Sequence, residues 1–379
     1  MPHIYTLFFF VFSLSLTSCA KANHEQKNTK AQSEDIQYAD FIHQQITHNL
    51  HVFKSPDYNT NAGVFIGAET ILLIDPMTGR NNHENLLSAI RQLSDKPISY
   101  VINTHSHGDH SGANSFFKEQ GASIISQDNA KYSSAVTDIT FNDTYSINMG
   151  NETIELYHIA AHTLDDALIY FKNSNAIFMG DTYMTDTTPH FYYGGGSKGH
   201  QNILNKALTL GDENTIIVPA HGKQSSNKPE LQDYLQNSIQ WIERIKKLYN
   251  VGMSASEIST DAQIEQLARA FNLRFGVSSQ SIEKTISIDL MEEADISEAV
   301  LKQYEGTYEY EGGNTAEILI VGGDIVFRSE GGYIYKLRPI SEDRFQLKGQ
   351  LTDRYVSLQK SGSKLVFFNG RQTLTAQKR

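Results

Sequence analysis

Thr104-His105-Ser106-His107-Gly108-Asp109-His110 places three imidazoles and a carboxylate within six residues, directly after the apolar stretch Ile98 to Ile102. Core packing gives no reason for a strand to end in a loop crowded with metal ligands. Neutral imidazole and carboxylate suit Zn²⁺, with Fe and Mn as other occupants. Residues two apart on an extended segment point the same way, so His105 and His107 can grip one ion. Asp109 and His110 then turn away and can serve a second ion beside it.

Two ions need more donors than this loop holds, and the chain supplies them downstream. His162 follows the run Ile154 to Ala161, Asp181 follows Ala176 to Gly180, and His221 follows Ile216 to Ala220. Each is a ligand-type residue after an apolar, strand-like segment, and each is followed by Thr or Gly. Ligands gathered from the ends of several strands make a site at one edge of a sheet sandwich.

In this order, His105, His107, Asp109, His110, His162, Gly180-Asp181 and His221-Gly222 resemble the metallo-β-lactamase superfamily over roughly residues 40 to 245. The resemblance implies a four-layer αβ/βα sandwich. It implies that His105, His107 and His162 hold one metal, that Asp109, His110 and His221 hold the other, and that Asp181 bridges two Zn²⁺. It also implies that Asp75 lies under the metal loop and orients a ligand; a turn residue is the other reading of that position. The isolated His43, His48, His51, His83, His158 and His200 read as surface or satisfied core residues.

A net charge of −11 argues against non-specific nucleic-acid binding, which needs a basic surface. Residues 1–18 read as a signal peptide. Its apolar run, Leu7 to Leu16, is shorter than the 20 or so residues of a membrane span, and Leu16-Thr17-Ser18-Cys19 is similar to a bacterial lipobox. Cys19 is the single cysteine, so no disulfide can form within the chain. The expectation is an exported protein held on a membrane through lipidated Cys19, on the outer membrane facing the periplasm. The polar residues 19–38 form a flexible tether.

A chain of 379 residues predicts more than one domain. The metal-binding domain is expected over 39–250. Residues 63–67 and 70–74 read as a hairpin, Asn82 to Leu93 and Ala113 to Glu119 as helices, and Ala122 to Ser126 as a strand. Leu231 to Tyr249 and Ser256 to Phe271 carry apolar residues at helical spacing, and 251–295 reads as a helical linker. From 296 to 379, seven short alternating runs separated by turns, several marked by Gly-Gly pairs, predict a small antiparallel β-barrel-like domain.

The chemistry expected is a zinc-dependent hydrolase acting on a small-molecule carbonyl (cyclic amide, lactone or ester) with a metal-bridging hydroxide, and Asp109 as general base and later acid. Thr104, Thr163 and Asp166 are candidates to orient ligand imidazoles. His190, Tyr192 and Tyr193, beside Gly194-Gly195-Gly196, form a candidate substrate loop: aromatics give contact area and glycines allow close approach. The other readings are a β-lactamase proper, a mononuclear iron enzyme that oxidises sulfur compounds, and a metal-binding lipoprotein without activity. Against the β-lactamase, Thr182-Tyr183-Met184 after Asp181 contains no Lys to grip a substrate carboxylate. The sequence leaves the oligomeric state open.

Overall fold

The computed structural model describes residues 36–38, 41–77, 82–273, 276–359 and 361–379. The expected signal peptide, Cys19 and the tether as far as residue 35 lie outside the described residues. Strand β1 (Ile36–Tyr38) pairs antiparallel with β2 (Phe41–Gln45), so ordered pairing begins inside the stretch read as tether.

The first sheet continues with β3 (Leu50–Lys54), β4 (Asn61–Ile66), β5 (Ile71–Ile74), β6 (Ile98–Ile102), β7 (Ser123–Gln127) and β8 (Ile139–Phe141), in chain order. Pairing is antiparallel up to β5 and parallel from there to β8. The parallel crossovers carry α1 (Asn82–Leu93), a single turn α2 (Gly108–Ser111) and α3 (Asn114–Glu119). Strand β5 is apolar at every position because both its faces are covered. Ile71 and Leu73 pack on Leu86 and Ile90 of α1 and Phe117 of α3. Leu72 and Ile74 point the other way, into a core shared with the second sheet through Ile154, Leu156 and Phe178.

That second sheet comprises β9 (Thr144–Met149), β10 (Glu152–His158), β11 (Ala167–Phe171), β12 (Ala176–Phe178), β13 (Ile216–Val218) and β14 (Ser226–Asn227). These strands lie side by side in chain order. Its outer face is covered by α4 (Gly196–Thr209) and α5 (Lys228–Asn250). The result is the expected αβ/βα sandwich. Helix α5 begins where the Asn227 side chain accepts from Glu230 N, with Pro229 in the first turn.

The periodic stretch 256–271 forms two helices, α6 (Ala255–Ile258) and α7 (Ala262–Ala270). Asp261 restarts the helix by accepting from Gln263 N and Ile264 N. Together with α8 (Ser279–Asp289), these helices bury Ile258, Ile264, Phe271, Ile282 and Ile286 in one core with Trp241, Leu204, Ile177 and Ile217. The segment read as a linker is therefore also a packed layer.

Helix α9 (Glu298–Tyr304) leads into β15 (Gly306–Tyr310), β16 (Thr315–Val321), β17 (Asp324–Arg328), β18 (Ile334–Ser341), β19 (Arg344–Leu347), β20 (Tyr355–Leu358), β21 (Lys364–Phe368) and β22 (Thr373–Lys378). They form a closed antiparallel barrel. Closure falls to β22, whose alternation is short and weak, with Leu374 and Ala376 its only apolar residues and Ala376 alone fully buried. It pairs with β15 at Tyr308↔Lys378, which leaves no open edge. Gly322 and Gly323, at φ +60° and +89°, make the two-residue turn between β16 and β17. Arg338 of β18 is fully buried. It donates to the Ser287 carbonyl of α8 and, at 2.6 Å, to Gln346 Oε1, so the barrel is locked onto the helical layer.

Two buried histidines outside the site make the fold acid-sensitive. Burial first, then His43 and His48, pushes His51 down to about 4; burial pushes His200 down to about 4 as well. Both bind protons more readily unfolded, so their contribution is complete above pH 6.5 and is lost as pH falls from 6.5 towards 4. For His200 the loss is roughly 3 kcal/mol. The midpoint of thermal unfolding is expected to fall over this range, and less steeply in His200→Gln. The clustered histidines titrate in both proteins, so parallel pH profiles would refute the assignment.

Candidate metal centre

Four loops meet at the C-terminal ends of β6, β12 and β13 and beyond β10. The loop after β6 and the α2 turn bring His105, His107, Asp109 and His110; the others bring His162, Asp181 and His221. The donor atoms form two groups, each within 4.8 Å: His105, His107, His162 and Asp181; and Asp109, His110 and His221. Asp181 joins them. Its Oδ2 lies 3.4 Å from His162 Nε2, while Oδ1 lies 3.1 Å from His110 Nε2 and 3.0 Å from His221 Nε2.

The ring nitrogens facing away from the centre are held. His110 Nδ1–H donates to Asp75 Oδ2 at 2.9 Å, His162 Nδ1–H to the His190 carbonyl at 3.0 Å, and His221 Nδ1–H to the Tyr58 carbonyl at 2.9 Å. His105 Nδ1 sits 3.3 Å from Thr104 Oγ1, which itself donates to Asp75 Oδ2 at 2.7 Å. These bonds fix the tautomers that aim Nε2 lone pairs inward. His107 differs, turning Nδ1 to within 3.0 Å of His162 Nε2. His105 Nε2 is buried with no hydrogen-bond partner, and the buried His110 Nε2 and Asp181 Oδ1 face each other at 3.1 Å without good hydrogen-bond geometry. Unsatisfied buried donors and acceptors are costly, and cations at the two groups would satisfy all three. The residues present fit a pair of metal ions.

Electrostatics point the same way. Burial holds His105 and His162 well below the usual histidine range, so both are neutral and ready to ligate. Burial also opposes charge on His110, but Asp109, Asp75 and Asp181 outweigh it and hold it well above that range. For His221, too, burial is overcome, chiefly by Asp181, and its pKa is pushed up to about 10. Asp181 and Asp109 lie below the normal carboxylate range despite burial, because of those histidines.

The surrounding residues divide differently from their sequence reading. Asp75 and Thr104 lie directly behind the candidate ligands His105 and His110. Thr163 and Asp166 act on the backbone: Asp166 accepts from Ala161 N, Thr163 N and Thr163 Oγ1 and so shapes the turn carrying His162. The Gly-rich loop is also used against that turn. A Cβ on Gly194 would meet the Thr163 carbonyl oxygen at 1.9 Å, and one on Gly195 that of Ala160 at 1.9 Å, so these glycines admit the His162 backbone. Of the aromatics, Tyr192 is buried against Gly349 of the barrel and does not line the cavity over the metal centre. His190 and Tyr193 do line it. That cavity, about 510 Å³, is completed by Tyr58 and by Tyr333 and Tyr335 of the barrel. None of these three carried a sequence signal linking it to the ligands.

Residues 55–221 match the model of the metallo-beta-lactamase superfamily. That matching stretch holds all seven donor residues and is similar to this superfamily of metal-dependent hydrolases. It is similar to a hydroxyacylglutathione hydrolase of Pelagibacter ubique, 33% identical over 142 residues, covering 36% of this chain and 58% of that one. It is similar to metallo-beta-lactamase IND-1 of Chryseobacterium indologenes, 24% identical over 231 residues, covering 56% of this chain and 90% of the other. A solved metallo-beta-lactamase from Pontibacter korlensis aligns with a TM-score of 0.47 at 20% identity, over 52% of this chain and 99% of that one. The chain spans 58% of the length of two hydroxyacylglutathione hydrolase relatives, from Pelagibacter ubique and Schizosaccharomyces pombe.

Asp75→Asn keeps the size of the side chain but weakens its hold on His110 Nδ1. The second group is expected to lose affinity for Zn²⁺ about 10- to 100-fold, the first much less. Metal content after dialysis should fall from two equivalents towards one. Retention of two would count against this role for Asp75.

Proposed function

We propose that the protein is a dinuclear metal-dependent hydrolase of small acyl compounds, with lactones and esters ahead of cyclic amides. The observation that carries this reading is Asp181, whose two oxygens face different donor groups. A mononuclear iron site, or a purely structural one, has no use for that bridge or for the full second group. His105, His107 and His162 would hold one cation, Asp109, His110 and His221 the other, with Asp181 offering an oxygen to each; Zn²⁺ suits these donors, and Fe or Mn could replace it. Bound there, the pair would lower the pKa of a water towards about 7 and polarise the substrate carbonyl.

The chain's own residues do the rest. Asp109 has the most open carboxylate of the three at the centre, with 24% of its side chain exposed against 11% for Asp181 and 4% for Asp75. His110 and His221 keep it ionised, so Oδ2 can accept the proton of the attacking water and pass it to the leaving group. Tyr58, Tyr193, Tyr333 and Tyr335 offer aromatic surface to the acyl group and exclude water. His190, pushed down to about 4 chiefly by burial, adds a neutral polar edge. The described lining contains no Lys or Arg, which favours uncharged lactones and esters over β-lactams, whose carboxylate needs a cation.

With Zn²⁺ supplied, chelator-sensitive hydrolysis of lactones or aryl esters is expected, exceeding that of a chromogenic cephalosporin. Asp109→Asn should lower kcat about a hundredfold or more while thermal stability is largely kept. Cephalosporin turnover dominating the panel would favour the β-lactamase reading. A folded two-zinc protein inert to every substrate would sink the hydrolase reading.

We read the N-terminal residues as an export and lipidation signal that holds the enzyme on the outer membrane, facing the periplasm. The support is the apolar run Leu7 to Leu16 ending at Cys19, the single cysteine. Among the described residues no helix is long and apolar enough to cross a membrane. Labelled palmitate should enter the parent protein in a Gram-negative host and be absent from Cys19→Ala; label in both would exclude this anchor.

A further inference from the structure

A second cavity, of about 290 Å³, opens beside the metal centre between the sandwich and the barrel. It shares His107, Gly108, Tyr193, Tyr333 and Tyr335 with the cavity over the ligands, so the two are chambers of one site. The sandwich side presents Ser106, Ser115, Thr163 and Asp165; the barrel side presents Tyr333, Ile334 and Tyr335. The two sides are held together nearby. Arg328 Nη2 donates to the Ser133 carbonyl at 3.3 Å, and a Cβ on Gly332 would meet Ser134 at 2.9 Å.

Asp165 gives this chamber its character. It is 3% exposed; the Ser106 and Thr163 hydroxyls lie beside its carboxyl, but its Oδ2 is buried with no well-formed hydrogen bond. The neighbouring Asp166 makes three bonds to the His162 turn, so the turn itself is already tied down without Asp165. A buried carboxylate oxygen without a donor is costly, and one that borders an open chamber can be met by a ligand.

We propose that this chamber receives the side group of the acyl substrate, and that Asp165 selects substrates whose side group carries an N–H or O–H donor. The inference rests on the hydrolase reading and deepens it. It also gives the barrel a role, since one wall of the chamber is β18 and the turn before it. Asp165 is a specificity-determining residue here; it lies outside both donor groups.

The test uses metal-gripping probes of equal size, read by calorimetric binding to the full zinc-loaded chain and independent of turnover. The probes are 3-methylbutanohydroxamic, 3-hydroxybutanohydroxamic and 3-aminobutanohydroxamic acids, with acetohydroxamic acid as the reference lacking a side group. At least one donor-bearing probe is expected to bind about tenfold or more tightly than the methyl isostere. That preference should vanish in Asp165→Leu, with acetohydroxamate affinity unchanged. Equal affinities in the parent, or a preference that survives in Asp165→Leu, would overturn the proposal. Should Asp165→Leu fail to fold, Ser115→Trp decides. Ser115 is an exposed lining residue, and the larger side chain should weaken the three substituted probes about tenfold and spare acetohydroxamate; unchanged binding would overturn the proposal. Chelator-sensitive cleavage of p-nitrophenyl acetate by the same samples reports separately on the hydrolase reading.

Discussion

One buried carboxylate organises the candidate metal centre. Asp75 accepts from Thr104 N at 2.8 Å, Thr104 Oγ1 at 2.7 Å and His110 Nδ1 at 2.9 Å. It thereby ties the end of β5 to both ends of the ligand loop. The geometry is strained: Asp75 has φ +47° and Met77 φ +63°, in the left-handed region that side chains other than glycine rarely enter. The packed sandwich around β5 and β6 sustains that conformation. Nearby, Gly180 at φ +55° leaves no room for a Cβ, which would lie 2.7 Å from Thr104 Oγ1. The position before Asp181 is thus shaped by the same threonine that Asp75 holds.

The rest of the centre balances charge and burial. Two neutral imidazoles come chiefly from desolvation, with neighbouring histidines adding to it, while His110 and His221 are drawn towards their charged forms by nearby carboxylates against the effect of burial. Without cations this arrangement uses protons as counter-charge; with them, the same carboxylates face the metals. The backbone carbonyls of Tyr58 and His190 orient two imidazoles, so loops outside the ligand motif are part of the centre.

Helices and barrel act on the site from outside. The α6–α8 layer shares its core with α4 and α5, and buried Arg338 fastens the barrel to α8. Gly349 approaches the backbone of Tyr192 so closely that no side chain fits, which sets the barrel against the loop carrying His190 and Tyr193. Tyr333 and Tyr335 then reach the cavity over ligands more than 100 residues away in the chain.

The candidate donor set was legible in the chain because metal chemistry demands particular residue types at the ends of apolar strands, and the fold brings those residues into two groups. Most helices and strands were legible for a similar reason: periodic burial leaves a periodic pattern, as in α1 and β5. Where burial is sparse the pattern shrinks, and β22, whose only apolar residues are Leu374 and Ala376, carries a weak strand signal although it closes the barrel. Tertiary structure alone decided which neighbours work together. Asp165 and Asp166 are adjacent and chemically identical, yet one is consumed by the His162 turn and the other keeps an oxygen free beside a chamber. Gly194 and Gly195 admit backbone from the sandwich rather than substrate. The barrel tyrosines become cavity walls only through packing between distant segments, and a contact of that kind leaves no periodicity or spacing in the chain.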